Sequence, residues 1–222
     1  NFKNMKKLLV ILFMLAAMNA SALDTITCKY FPLAVGNVYK YYWGTSVGYS
    51  NTYKIRIVRD TLIENKKYFI FSPGIFGSNS PVRFDTLTGN IYSRSAYGYC
   101  AYSPFEILQD SLKAYLNDST SVCYSVYKHR CSFIGYWNIL GNYVPTKRFR
   151  WIEYPPGDYE EYVYAMGFGL VSMNLKSGND YASHSLVGCC INGVLYGDTT
   201  LTGINQISTE ATSSYSLSQN FP

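Results

Sequence analysis

Apolar and polar positions along this chain alternate in short runs, and a period of two predicts strands. Residues 38–43 and 53–59 are the first such runs. In the second, Ile55 and Ile57 alternate with Lys54 and Arg56, which sets one face on a core and the other in water. Residues 67–71 make a third. Runs 82–85 and 90–92 bracket Thr86-Leu87-Thr88-Gly89, a short hairpin whose glycine can take positive φ. Six further runs follow at 122–126, 132–140, 147–154, 160–166, 170–175 and 185–196. Phe149 and Trp151 alternate with Arg148 and Arg150, so that strand is predicted to be two-faced.

One stretch departs from this period. Ser103-Pro104-Phe105-Glu106 has the form of a capping box with proline at the first helical position. Phe105, Leu108, Leu112, Tyr115 and Leu116 then fall on one stripe, which predicts an amphipathic helix over about 103–116 packed on the sheet, ended by Asn117-Asp118. The connections Gly141-Asn142, Pro155-Pro156-Gly157-Asp158 and 176–180 (Lys-Ser-Gly-Asn-Asp) carry turn chemistry. The expected fold is therefore mainly β: an antiparallel meander forming a barrel or half-barrel, with one packed helix.

The two ends read differently. Lys6 and Lys7 precede an unbroken apolar run of 11 residues at 8–18, and Ala20-Ser21-Ala22 places small residues where a signal peptidase cuts. As a helix the run spans about 16 Å, roughly half a hydrocarbon core, too short for a membrane span. Residues 1–22 are thus expected to be a signal peptide starting at Met5, cleaved after Ala22, with residues 1–4 upstream of the natural start. A single domain is expected over 23–198, because no linker interrupts it. Residues 199–214 are polar, rich in Thr and Ser, and read as a linker.

Composition supports the strands. The chain carries 23 Tyr, 12 Phe and 3 Trp, a bias toward pleated, half-buried surfaces. The formal charge of +5 is partly leader: without Lys3, Lys6 and Lys7, 16 basic residues face 14 acids, and no basic run remains to suggest nucleic acid or anionic lipid. No apolar run near 20 residues follows the leader, so no membrane span is expected in the mature chain. All six cysteines lie beyond the leader, where disulfides persist in an exported protein. Six allow fifteen connectivities; the favoured local bridge is Cys123–Cys131, with Cys28, Cys100, Cys189 and Cys190 left unpaired. Thr25-Ile26-Thr27 lacks the small residues of a lipoprotein box, so Cys28 is not read as a lipid anchor.

Tyr215, Leu217, Gln219, Asn220, Phe221 and Pro222 resemble the opening of the C-terminal sorting domain of type IX secretion cargo, a Tyr-x-Leu-x-Gln-Asn-Tyr/Phe-Pro pattern. The resemblance covers about eight residues, 215–222, which would be the start of a truncated sorting domain. Segments 30–41, 164–172 and 191–199 also look like modules that precede such domains. The resemblance implies passage through export and sorting machinery and a secreted or outer-surface location. It implies no chemistry.

Candidate chemistry is sparse. Gly44-Thr45-Ser46-Val47-Gly48 fits a serine-hydrolase elbow, but it lies between two strand-like runs where a hairpin explains it. Glu106 and Asp110 share a face of the predicted helix, and Asp158, Glu160 and Glu161 sit by a turn. No Cys-x-x-Cys occurs and His129 and His184 are the only histidines, so no metal is expected, nor any cofactor. No catalytic residue is assigned. Trp151, Tyr154, Tyr159 and Tyr162 surround the acidic loop and are the candidates for gripping a glycan or protein ligand. The sequence thus favours an exported non-catalytic binding or structural module, with a secreted glycosidase or esterase as the alternative.

Overall fold

The computed structural model describes residues 25–75, 80–94, 106–122, 127–151, 158–198 and 200. The leader, the linker apart from Thr200, the sorting motif, Cys100, Cys123 and Tyr154 lie outside these residues. A single-turn helix, α1 (Thr25–Cys28), comes first. Thirteen strands follow among the described residues: β1 (Val38–Thr45), β2 (Ser50–Ile63), β3 (Lys66–Ser72), β4 (Val82–Asp85), β5 (Asn90–Ser93), β6 (Ile107–Ser111), β7 (Ser119–Val122), β8 (Tyr127–Ile139), β9 (Asn142–Trp151), β10 (Tyr159–Ala165), β11 (Gly169–Ser177), β12 (Asp180–Ile191) and β13 (Val194–Gly197).

The sheet runs β6-β5-β4-β3-β2-β1-β12-β11-β10-β9-β8-β7, antiparallel throughout, with β13 appended to β12. It curls into a nearly closed barrel of twelve strands. The two outermost strands of that order, β6 and β7, are neighbours in sequence, and the turn between them spans the remaining opening. Lys147 Nζ on β9 donates to the carbonyls of Leu112 (2.6 Å) and Ala114 (2.9 Å) in that turn. Asn117 N–H donates to Cys131 O and Cys131 N–H to Asp118 O, which stitches the turn to β8.

The alternation in the sequence becomes the inner and outer faces. Ile55 and Ile57 are 4% and 0% exposed, while Lys54 and Arg56 face water. Phe149 is buried and Arg150 exposed. The core is unusually rich in tyrosine, and a buried phenol needs a partner for its hydroxyl. Tyr39 donates to Pro32 O (2.9 Å), Tyr41 to Leu170 O (2.6 Å) and Tyr164 to Asp110 Oδ2 (2.7 Å). Each ring therefore contributes apolar burial of roughly 1.5–3 kcal/mol without leaving an orphaned polar atom.

Three expectations are corrected. The amphipathic helix predicted over 103–116 is absent from its described part, 106–116, residues 103–105 lying outside the described residues: Ile107–Ser111 is strand β6, paired with β5, and Leu112-Lys113 is a turn. Tyr115 and Leu116, which the helical stripe would bury, are 78% and 54% exposed, whereas Asp110, off that stripe, is 0% exposed. A local helix signal loses here to the ladder hydrogen bonds and burial that closing the barrel provides. The predicted Cys123–Cys131 bridge is not seen either. Cys131 is a buried free thiol on β8, backbone-paired opposite Asp118, and Cys189 and Cys190 are free as well. Burial raises the Cys131 thiol pKa and pushes that of Cys189 up to about 12, which keeps both as unreactive core groups. Finally, the run predicted at 185–196 is a hairpin, β12 and β13, turning at Asn192 (φ 51°) and Gly193 (φ 83°). Asn-Gly suits this turn because both residues tolerate positive φ.

Candidate functional site

The strand registers put Cys131, Phe149, Tyr162, Met173, His184 and Trp43 in one row across β8, β9, β10, β11, β12 and β1. That row lines the barrel interior. At its β1–β12 end the interior is not filled. A cavity of about 400 Å³ lies between Tyr41, Tyr53 and Ile55 on one side and Leu170, Met173 and His184 on the other, with Pro73 to Ile75 at its edge. Tyr41 and Tyr53 stack with ring centroids 5.6 Å apart, and Trp43 lies 6.4 Å from the His184 ring.

One polar pair interrupts this apolar wall. The Tyr53 hydroxyl and His184 Nδ1 are 2.8 Å apart. Burial pushes the Tyr53 pKa up to about 12 and lowers that of His184, so both are uncharged at neutral pH. The pair is then a neutral hydrogen bond in an apolar wall, able to orient one polar atom of a guest.

A second polar cluster lies deeper. Asp110, His129 and Tyr164 are 0%, 1% and 0% exposed, and they come from β6, β8 and β10. Asp110 Oδ1 meets His129 Nδ1 at 2.7 Å, and Asp110 Oδ2 accepts from Tyr164. His129 Nε2 is buried with no hydrogen-bond partner among the described residues. Trp151 and Tyr162 pack on the imidazole, at centroid distances of 5.1 and 5.7 Å. The Tyr162 hydroxyl donates to Glu160, whose carboxyl pKa is raised by burial.

The predicted binding residues are therefore divided between two faces. Trp151 and Tyr162 turn inward around His129; Tyr162 is 6% exposed. Tyr159, three residues from Tyr162, faces the other way, with the Arg150 guanidinium 4.2 Å from its ring centre. Tyr154 lies outside the described residues. Sequence reasoning passed over Tyr41, Tyr53 and His184 as site residues. Their only sequence signal was an inward parity shared by β1, β2 and β12, which needs the register to be read.

The hydrolase motif resolves as a hairpin. Ser46 follows β1 in the turn to β2; its N–H donates to Tyr181 O, and its Oγ accepts from Tyr181 N–H at 3.2 Å. The two histidines have other partners, Tyr53 for His184 and Asp110 for His129. Glu106 and Asp110, predicted to share a helix face, serve different clusters. Glu106 binds Arg83, Lys66 and Tyr68, whereas Asp110 binds His129 and Tyr164. Among the described residues no group of three or more His, Cys, Asp or Glu could hold a metal ion. None of the helices among them is long and apolar enough to cross a membrane.

No family model matches this chain, and no curated protein matches it. Solved structures similar to it at low identity include two exported or lipoprotein candidates. A candidate lipoprotein of Parabacteroides distasonis is 10% identical, with a TM-score of 0.41, covering 75% of this chain and 97% of that one. A candidate exported protein of Bacteroides fragilis with a YmcC-like fold is 11% identical, with a TM-score of 0.42, covering 70% of this chain and 96% of that one.

Proposed function

We propose that this chain is an exported, non-catalytic binding module that holds a small, mostly apolar ligand in its barrel. The observation that carries this reading is the cavity of about 400 Å³ walled by Tyr41, Tyr53, Leu170, Met173 and His184. Protein interiors are close-packed, and a void of this size falls within the ligand-pocket range of roughly 300–1,000 Å³. The Tyr53–His184 pair supplies the one directional contact such a pocket uses for orientation. A secreted hydrolase, the alternative, would draw its nucleophile from Ser46, whose Oγ accepts from the Tyr181 N–H and whose turn serves β1 and β2.

Export and the type IX route rest on the leader at 5–22 and on the motif at 215–222. An intact leader on native protein would remove the first, and unchanged export after deletion of 215–222 the second.

Binding is tested with purified protein and 1-anilinonaphthalene-8-sulfonate as a fluorescent probe, with decanoic acid and indole as competitors. Saturable, competed fluorescence is expected, weakened roughly tenfold by Leu170→Trp or Met173→Trp, which fill the cavity. Absent saturation, or wild-type binding in both variants, refutes the pocket.

A further inference from the structure

We infer a second site at the barrel rim, independent of the interior cavity, that takes a neutral saccharide. A cleft of about 390 Å³ opens where the β1–β2 turn, the start of β10 and the β11–β12 turn converge. Its framework is a cross-strand row. Tyr159 pairs with Lys176, and Lys176 pairs with Tyr181, so the three side chains stand abreast on β10, β11 and β12. They point away from the inner row of Tyr162, Met173 and His184, and Ser46 continues the line through its two hydrogen bonds to the Tyr181 backbone.

Both rings are held in place without a ligand. The Arg150 guanidinium sits 4.2 Å from the centre of the Tyr159 ring. The Tyr181 hydroxyl donates to Asn174 Oδ1 (3.0 Å); Asn174 Nδ2 donates to Glu161 (3.2 Å), which in turn faces Arg148 Nε at 3.6 Å. Tyr159 and Tyr181 are half-buried, so part of each ring remains for a guest. Lys176 and Asp180 line the same cleft and enter no ion pair among the described residues.

This combination selects a ligand class. A strongly anionic ligand meets Asp180 and a strongly cationic one meets Lys176. A pyranose suits both, because each hydroxyl donates to a carboxylate and accepts from an ammonium. Its apolar C–H faces pack on aromatic rings. Ser46, whose Oγ accepts from Tyr181 N–H, keeps its own O–H to donate. Fixed rings and fixed polar partners reduce the ordering cost of binding.

The test titrates the full chain with cellohexaose, maltohexaose, laminarihexaose and N-acetylchitohexaose by calorimetry. Binding of at least one is expected, weakened roughly tenfold by Tyr159→Ala and by Tyr181→Ala. Asp180→Lys, an exposed change that leaves packing untouched, is expected to weaken the same sugar several-fold. Tyr53→Phe in the interior cavity should bind it as the wild type does, which separates this site from the pocket above. Failure of all four sugars, or wild-type affinity in the Tyr181→Ala and Asp180→Lys proteins, overturns the inference.

Discussion

Glu106, just before β6, and Asp110, within it, stand four residues apart, and they tie that strand to the barrel by different physics. Glu106 meets Arg83 Nη2 at 2.9 Å and Lys66 Nζ at 2.8 Å; its side chain and that of Arg83 are 15% and 10% exposed, and Lys66, at 44%, opens the cluster to water. Hydrogen bonding from Arg83 is the main cause that holds the Glu106 pKa down to about 2. Asp110 is wholly buried, and its two oxygens are taken by His129 and Tyr164 from strands at the opposite end of the sheet order. Water reaches the first cluster on its Lys66 side, so its loss is partly compensated. Nothing compensates the second, because removing one partner leaves a buried polar group unpaired. The contrast locates barrel closure in the buried cluster and assigns the rim cluster a lesser share.

Asp110→Ala is the strongest test of that contrast, expected to cost about 3 kcal/mol in urea unfolding followed by circular dichroism. A cost no larger than that of a rim substitution would show that closure lies elsewhere. Tyr164→Phe keeps the ring and removes one donor to Asp110, so about 1–2 kcal/mol is expected in the same measurement. Glu106→Gln should cost about 1 kcal/mol or less, and a value matching Asp110→Ala would erase the distinction.

Acid titration sharpens the comparison further. The folded Glu106 pKa of about 2 lies below its ordinary value of 4.5, so its contribution is complete above pH 4.5 and fades as pH falls toward 2. The stability gap between wild type and Glu106→Gln should therefore shrink across that window. The smallest effect is expected at His184. Burial lowers its pKa from 6.5, so its contribution is present above that pH and is lost as pH falls. Tyr53→Phe deletes its partner hydroxyl and should alter the slope of stability against pH just below 6.5; an unchanged slope would place His184 outside any titrating contact.

Much of the fold was legible because strand alternation and turn chemistry are local. Ile55 and Ile57 against Lys54 and Arg56 gave the faces of β2, and Thr86 to Gly89 marked the β4–β5 turn, where Gly89 takes φ 72°. The stretch at 103–116 misled because its apolar spacing matches a helix, while β6 is only five residues long and too short to show a period of its own. Tyr159 and Tyr162 looked alike in sequence. Their different fates follow from parity on β10, which faces one toward Arg150 outside and the other toward His129 inside.

From the sequence by itself came the mainly β class, the antiparallel order of short strands and several of the turns, since each depends on residues within a few positions of one another. The tertiary structure alone decided that residues 110, 129 and 164 share a buried cluster, that residues 53 and 184 share a cavity wall, and that residue 131 keeps a free thiol. Those juxtapositions depend on closure and on register, and a shift of one residue in register would exchange the inner and outer faces of a strand.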